Sequence, residues 1–235
     1  MTRIAGGAAF GEEPWMPAPG TPLIIAIDGP AASGKGTLAR RIAQRFGLAH
    51  LDTGKIYRAT GLAVLEAGGD PADPETAVLA ARRLDVSRLG DPRLLQEDVA
   101  RASSLVAAIP AVRAALLAFQ RRFAHHPPSP ARGAVLDGRD IGTVVCPDAT
   151  VKLFLVASAE SRAERRVKEL RERGAPAIYE DVMQDMRERD ARDSERRVAP
   201  LAAAPDAITI DTTRLDADQV FERASDLIAR HGARP

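Results

Sequence analysis

GPAASGKGT, residues 29–37, stands one residue, Asp28, after the apolar run LIIAI at 23–27 and directly before a stretch in which Leu38, Ile42 and Phe46 recur at helical spacing. An apolar run, a glycine-rich turn and a helix start, in that order, predict a strand, a phosphate-binding loop and a helix. A polyanion is held best by backbone N–H groups with no side chain in the way. Gly29, Gly34 and Gly36 allow that approach, and Pro30, Ala31, Ala32 and Ser33 make up the rest of the loop. The helix opening near Lys35 points its unpaired N–H groups at the anion, and Lys35 adds a mobile charge for the outer phosphates. The Thr37 hydroxyl falls near where Mg²⁺ would sit, reached through water. Here Gly36 separates the lysine from the threonine, so GKGT is a variant of the usual pattern.

The rest of the chain fits a protein built around such a loop. Its 235 residues can bury a full core, as one domain with insertions or two modest ones, and 45% hydrophobic with 28% charged residues is ordinary globular composition. A net charge of +1 and 4% aromatic residues argue against electrostatic or stacking contact with a nucleic acid polymer, so a nucleotide ligand is expected to be small. Only four of the 33 basic residues are lysine (Lys35, Lys55, Lys152, Lys168); the others are arginine, suited to bidentate phosphate recognition. The single cysteine, Cys146, cannot form an intrachain disulfide and reads as a small buried hydrophobe beside Val144 and Val145. No apolar run approaches membrane-helix length, and Glu12 and Glu13 precede no cleavable hydrophobic segment, so a cytoplasmic protein is expected. Glycine and proline in residues 1–21 predict a mobile leader, which Trp15 would be free to dock.

Strands are expected at 23–27, 49–51, 134–136, 151–156 and 207–210, and helices at about 53–67, 73–84, 97–108, 111–124, 159–173, 179–192 and 216–230. Pro110 is read as an interruption, residues 86–95 as irregular, and Asp216 with Gln219 as a capping box. Strands alternating with helices give an α/β fold with a five-stranded parallel sheet covered on both faces. Ligands of such sheets bind beyond the carboxyl ends of the strands, where the loop falls.

Other segments bring charge to those ends. LDTGKIYR at 51–58 places Asp52 and Thr53 after a strand and Arg58 on the first turns of a helix; DGRD at 137–140 releases an acid and an arginine from a buried strand. Arg189, Asp193 and Arg196, spaced i, i+4 and i+7, share one face if helical, though Asp185, Arg189 and Asp193 would equally make an ordinary salt-bridged surface. Arg162, Arg165 and Arg166 cluster on a helix whose Glu164 and Glu169 are available to pair with them.

Taken together, GPAASGKGT, LDTGKIYR, ARASSLVAAIPAVRAAL from residue 100, VLDGRDIGTVV from 135 and RDARDSERRVAPL from 189 resemble bacterial cytidylate kinases in order and spacing, from about residue 23 to the C-terminus. The resemblance implies a P-loop nucleoside-monophosphate kinase that moves a phosphoryl group from ATP, with Mg²⁺, to CMP and dCMP. Its core would comprise residues 22–67, 131–158 and 200–235, its acceptor-binding insertion about 68–130, and its lid and sugar-contact helices about 159–199. Residues Gly29, Pro30, Ala31, Ala32, Ser33, Gly34, Lys35, Gly36 and Thr37, with the lid arginines Arg162, Arg165 and Arg166, would hold ATP. Arg58, Arg139 and Arg196 match positions that grip the acceptor phosphate and, with Lys35, make up the catalytic set. Ser104, Arg113 and Asp140 match those that read cytosine, and Arg189 and Asp193 those that hold the sugar. A monomer without nucleic acid or membrane partners is implied.

Two features depart from the family. Thr53 stands where serine is usual, which keeps the hydroxyl. The stretch from 85 to 104 is shorter than the strand-rich insertion typical there, reduced to SRLGDPRLLQEDVA, which bears on acceptor affinity and base selectivity rather than on ATP. The rival readings are a kinase of the same fold acting on UMP, AMP or shikimate, a nucleotide-binding P-loop module, and a degenerate member.

Overall fold

Every residue of the first strand, β1 (Leu23–Asp28), is buried, a pattern suited to the middle of a sheet covered on both faces. In the computed structural model, which describes residues 22–232, β1 is that middle strand. The expected leader and Trp15 lie outside the described residues. β2 (Ala49–Asp52), β3 (Gly133–Gly138), β4 (Val151–Val156) and β5 (Ile208–Asp211) complete a sheet ordered β2-β3-β1-β4-β5, parallel at every pairing. These are the five strands expected, with ends displaced by at most two residues.

Alternation along β1 divides the core. Ile24 and Ala26 face one layer, with α2 (Thr53–Glu66), α3 (Pro74–Arg82), α4 (Glu97–Ala108) and α5 (Pro110–His125) contributing Ile56, Ala77, Val106 and Leu116. Leu23, Ile25 and Ile27 face the other, against Leu38 and Ile42 of α1 (Lys35–Phe46) and Val220 and Ile228 of α8 (Ala217–Gly232). The expected acceptor-binding segment therefore shares a core with the sheet. The hairpin of α6 (Ala159–Glu172) and α7 (Tyr179–Glu195) has its own small core around Val167, Leu170, Met183 and Met186.

Local chemistry sets the element ends. Asp73 accepts from the Thr76 N–H at 2.8 Å with Pro74 in the first turn, and Asp216 and Gln219 cap each other reciprocally at 2.8 and 3.0 Å. Residues 86–95 form two tight 3₁₀ turns, opened by Asp85 and Asp91. Pro110 does not interrupt a helix. It begins α5, where a missing N–H costs nothing, and α5 leaves α4 at 97°. α7 continues to Glu195, past the expected 192, so Arg189 and Asp193 share its face while Arg196 sits beyond its end with an extended backbone. The one-face reading of Arg196 is thereby corrected. After β3 the chain makes a single wide turn, Ile141–Val145, closed by i→i+5 bonds from the Val145 and Cys146 N–H groups. Cys146 is fully buried at its end, and burial pushes its thiol up to about 12. Among the described residues no single helix is long and apolar enough to cross a membrane.

Candidate functional site at the carboxyl edge of the sheet

β1 ends at Asp28 and turns at Gly29, where φ is +151° and a Cβ would come within 2.3 Å of the Leu155 carbonyl oxygen of β4. Only glycine closes that corner. Ala32 and Gly34 also take positive φ, 56° and 92°, folding the loop over the start of α1. Lys35 Nζ donates to the Pro30 carbonyl at 3.0 Å, and Ser33 Oγ is buried with no hydrogen-bond partner. Burial and the neighbouring Arg139 charge bring the Lys35 ammonium down from 10.5 to about 7.

A cleft of about 1020 Å³ opens in front of the loop. Of the residues expected at the site, Ala31 to Thr37, Arg58, Ser104, Arg139, Arg165, Arg166 and Arg189 line it. Gly29 and Pro30 form the rear of the loop. Thr53, Arg113, Asp140, Arg162, Asp193 and Arg196 lie one layer behind the wall, in a buried polar network. Arg113 pairs with Asp140 over the Tyr57 ring, Arg139 Nε donates to Asp193 Oδ2 at 2.8 Å, and Arg196 lies 3.7 Å from Asp140 and 3.8 Å from Asp193. The Thr53 hydroxyl, kept where serine is usual, donates to the Asp137 carbonyl at 2.8 Å.

Positive charge is in excess here. Burial, with Arg139 beside it, lowers Arg189 to about 9, and burial lowers Arg58 and Arg196 as well. Among the described residues Arg189 Nε and Arg196 Nη2 are buried without a hydrogen-bond partner, although Arg196 Nη2 keeps Asp140 Oδ1 at 3.7 Å. A buried donor left unpaired costs stability, so Arg189 Nε on the cleft wall suits an anion that arrives from outside.

The arginines expected in the lid divide by their contacts. Arg162 holds Asp190 through both nitrogens, at 3.2 and 2.7 Å, and reaches the Ala31 carbonyl at 3.4 Å, tying α6 to α7 and to the loop. Arg165 is bonded to Thr212. Arg166 pairs with Glu169 at 2.7 Å, as the sequence allowed, and also with Glu97 of α4. Glu164 is not their partner. Ser104 is buried rather than a surface hydroxyl and accepts from Arg192 Nε at 3.0 Å.

Three carboxylates around Lys35 have no role in the sequence reading. Asp28 accepts from the N–H groups of Ile141 and Gly142, each at 2.8 Å, and burial raises it to about 6 despite those bonds. Asp52 caps α2 and is raised by burial and by Asp137 beside it. Asp137, 3% exposed, bonds His50 Nε2 at 2.8 Å through Oδ1, while Oδ2 lies 3.6 Å from where a Cβ on Gly36 would be. The sequence placed Asp137 at the strand end as an acid at the sheet edge, and its position beside the phosphate loop is what suggests a role with the nucleotide's ion.

The donor set also fits Mg²⁺. Among the described residues no three His, Cys, Asp or Glu side chains converge to cage an ion. Mg²⁺ needs no such cage, since it keeps several waters and takes its other ligands from one or two oxygens and the nucleotide phosphates. Thr37 and the loop-facing oxygen of Asp137 supply that kind of partner.

A phosphate loop on a parallel sheet, facing buried guanidiniums across a cleft, defines a P-loop phosphotransferase. The cytidylate kinase family model matches residues 25–230. Proteins called cytidylate kinase from Rhodospirillum rubrum and Paramagnetospirillum magneticum are 61% identical over 208 and 205 residues, 88% and 87% of this chain and 97% of each relative. One from Granulibacter bethesdensis is 58% identical over 208 residues, 88% of this chain and 97% of the relative. The chain belongs to the cytidylate kinase family.

Proposed function

We propose that the protein transfers the γ-phosphoryl group of ATP to CMP and dCMP, giving CDP and dCDP for pyrimidine nucleotide supply. The observation that carries this reading is the cluster of guanidiniums on Arg58, Arg139 and Arg189 that lines the same cleft as the phosphate loop, with Arg189 Nε buried and given no hydrogen-bond partner among the described residues. One anion fits the loop and a second fits the arginines. The loop N–H groups and Lys35 hold ATP, and Arg58, Arg139 and Arg196 hold the acceptor phosphate in line. An acceptor phosphate oxygen is already anionic near neutral pH, so no general base is needed. That oxygen bonds to the γ-phosphorus as the bond to the bridging oxygen breaks and ADP leaves. Mg²⁺ supplies charge neutralisation on the phosphates when bound. Arg165 and Arg166 close over the transferring group and exclude water.

Arg113, Asp140 and Ser104 read the base: a guanidinium donor, a carboxylate acceptor and a hydroxyl match the O2, N3 and N4 edge of cytosine. Arg189 and Asp193 hold the sugar. The same reading makes the protein a cytoplasmic monomer without nucleic acid or membrane partners, to be checked by fractionation and sizing in solution. The deciding experiment is ADP release with ATP and Mg²⁺, offering CMP, dCMP, UMP, AMP and GMP in turn. Turnover with CMP and dCMP far above the others is expected; equal turnover with AMP or GMP, or none with any acceptor, overturns the reading.

A further inference from the structure

Of the three carboxylates beside Lys35, Asp28 is committed to the backbone through both oxygens, at the N–H groups of Ile141 and Gly142, and Asp52 through one, as the cap of α2. Asp137 differs. Its Oδ2 makes no protein hydrogen bond among the described residues and faces the first turn of α1 at Gly36, one residue from Thr37. Its Oδ1 has one protein partner, the ring of His50 at 2.8 Å. A carboxylate accepts, so Nε2 carries the hydrogen in this bond.

A lone carboxylate at a strand end rotates about its last bond, and its two oxygens exchange places. A donor fixed on the neighbouring strand stops that rotation. β2 pairs with β3 in parallel register, Asp52 opposite Asp137, and His50 two residues earlier reaches forward to the same carboxylate. The ring is 19% exposed at the side chain, packed enough to be held in place.

We propose that His50 is a positioning residue: it locks the Asp137 carboxylate so that Oδ2 is presented to the water shell of the ion that accompanies the nucleotide phosphates. The proposal rests on the nucleotide half of the proposed function and is independent of which acceptor is used. Donors that orient metal-facing groups carry about a tenfold effect on metal affinity when removed. His50 therefore sets how much Mg²⁺ the nucleotide complex needs, without touching nucleotide or ion.

The test is calorimetric binding of ADP to the full chain in EDTA and across a Mg²⁺ titration, for the unsubstituted protein, His50→Phe and His50→Asn. Phe keeps ring bulk without the donor, and the shorter Asn amide falls short of Asp137 while remaining polar. Both variants are expected to bind ADP in EDTA within about twofold of the unsubstituted protein and to need about tenfold more Mg²⁺ for half-maximal enhancement. His50→Gln, which restores a donor at greater reach, is expected to recover most of that loss. Should His50→Phe fail to fold, the Asn and Gln pair decides the question. An unchanged Mg²⁺ requirement in the folded variants, or an equal loss of ADP binding in EDTA, which a merely structural role would give, overturns the proposal. Failure of the acceptor assignment would appear in the turnover panel and leave this binding experiment interpretable.

Discussion

Lys35 is placed where its charge is costly until phosphate arrives. Burial and the Arg139 charge bring it down to about 7, which weakens its hold on the proton near neutral pH. Polyphosphate beside it restores the charged form, and nucleotide binding should take up a proton. The uptake is expected to be largest between about pH 7 and 9 and to vanish below about pH 6, where Lys35 is already charged. Calorimetry of ADP binding in buffers of different ionisation enthalpy measures it, and Lys35→Met should abolish it. The same shift acts on folding. The unfolded chain keeps this proton up to 10.5 and the fold releases it near 7, so ligand-free stability from this group rises with pH between those values. Lys35→Ala is also expected to lower turnover about 10²- to 10³-fold, the loss typical of one preorganised donor; near-normal turnover would remove Lys35 from the chemistry.

At the scale of elements, the wide turn after β3 ties the phosphate loop to the residues proposed to read the base. Asp28, last in β1, holds its first two N–H groups, and Asp140 immediately precedes it. Asp28→Ala orphans two buried donors, at about 1–3 kcal/mol each. It also relieves a buried carboxylate whose rise from 3.8 to about 6 corresponds to about 3 kcal/mol. Set against each other, these leave between a gain of about 1 and a loss of about 3 kcal/mol, read from denaturant midpoints, with a larger loss of CMP turnover than of ADP binding, because Asp140 moves and the loop does not. CMP turnover and ADP binding falling by the same factor would mean that the turn holds itself. This clamp marks the limit of what the sequence carries. Apolar runs fixed the strands because their period is local, and the loop and the arginines were legible from residue type and spacing. The Asp28 to Ile141 bond spans 113 residues and the His50 to Asp137 bond 87, and no periodicity connects such positions. Asp193 joined the helix face while Arg196 did not because α7 runs three residues beyond its expected end and stops at Glu195.

Across the whole molecule, α4 on the acceptor side is joined to the α6–α7 hairpin by three side-chain bridges. Arg101 and Asp185, 3.7 Å apart and both mostly exposed, contribute little. Arg192 to Ser104 and Arg166 to Glu97 are better shielded, and both occupy groups assigned to substrate. Glu97 lines the cleft and gives Arg166 a carboxylate where a phosphate would otherwise pair, so nucleotide and Glu97 compete for one guanidinium. A partly exposed pair of this kind is worth up to about 1 kcal/mol, or about fivefold in an equilibrium. Glu97→Gln is expected to lower the KM for ATP two- to fivefold and to speed hydrogen exchange along residues 159–195 in the ligand-free protein. High salt should mimic the exchange effect in the unsubstituted chain by screening the pair. If KM rises instead while exchange still speeds up, Glu97 serves to hold the hairpin close enough for the arginines to reach ATP, and the bridge is an aid to closure rather than a competitor.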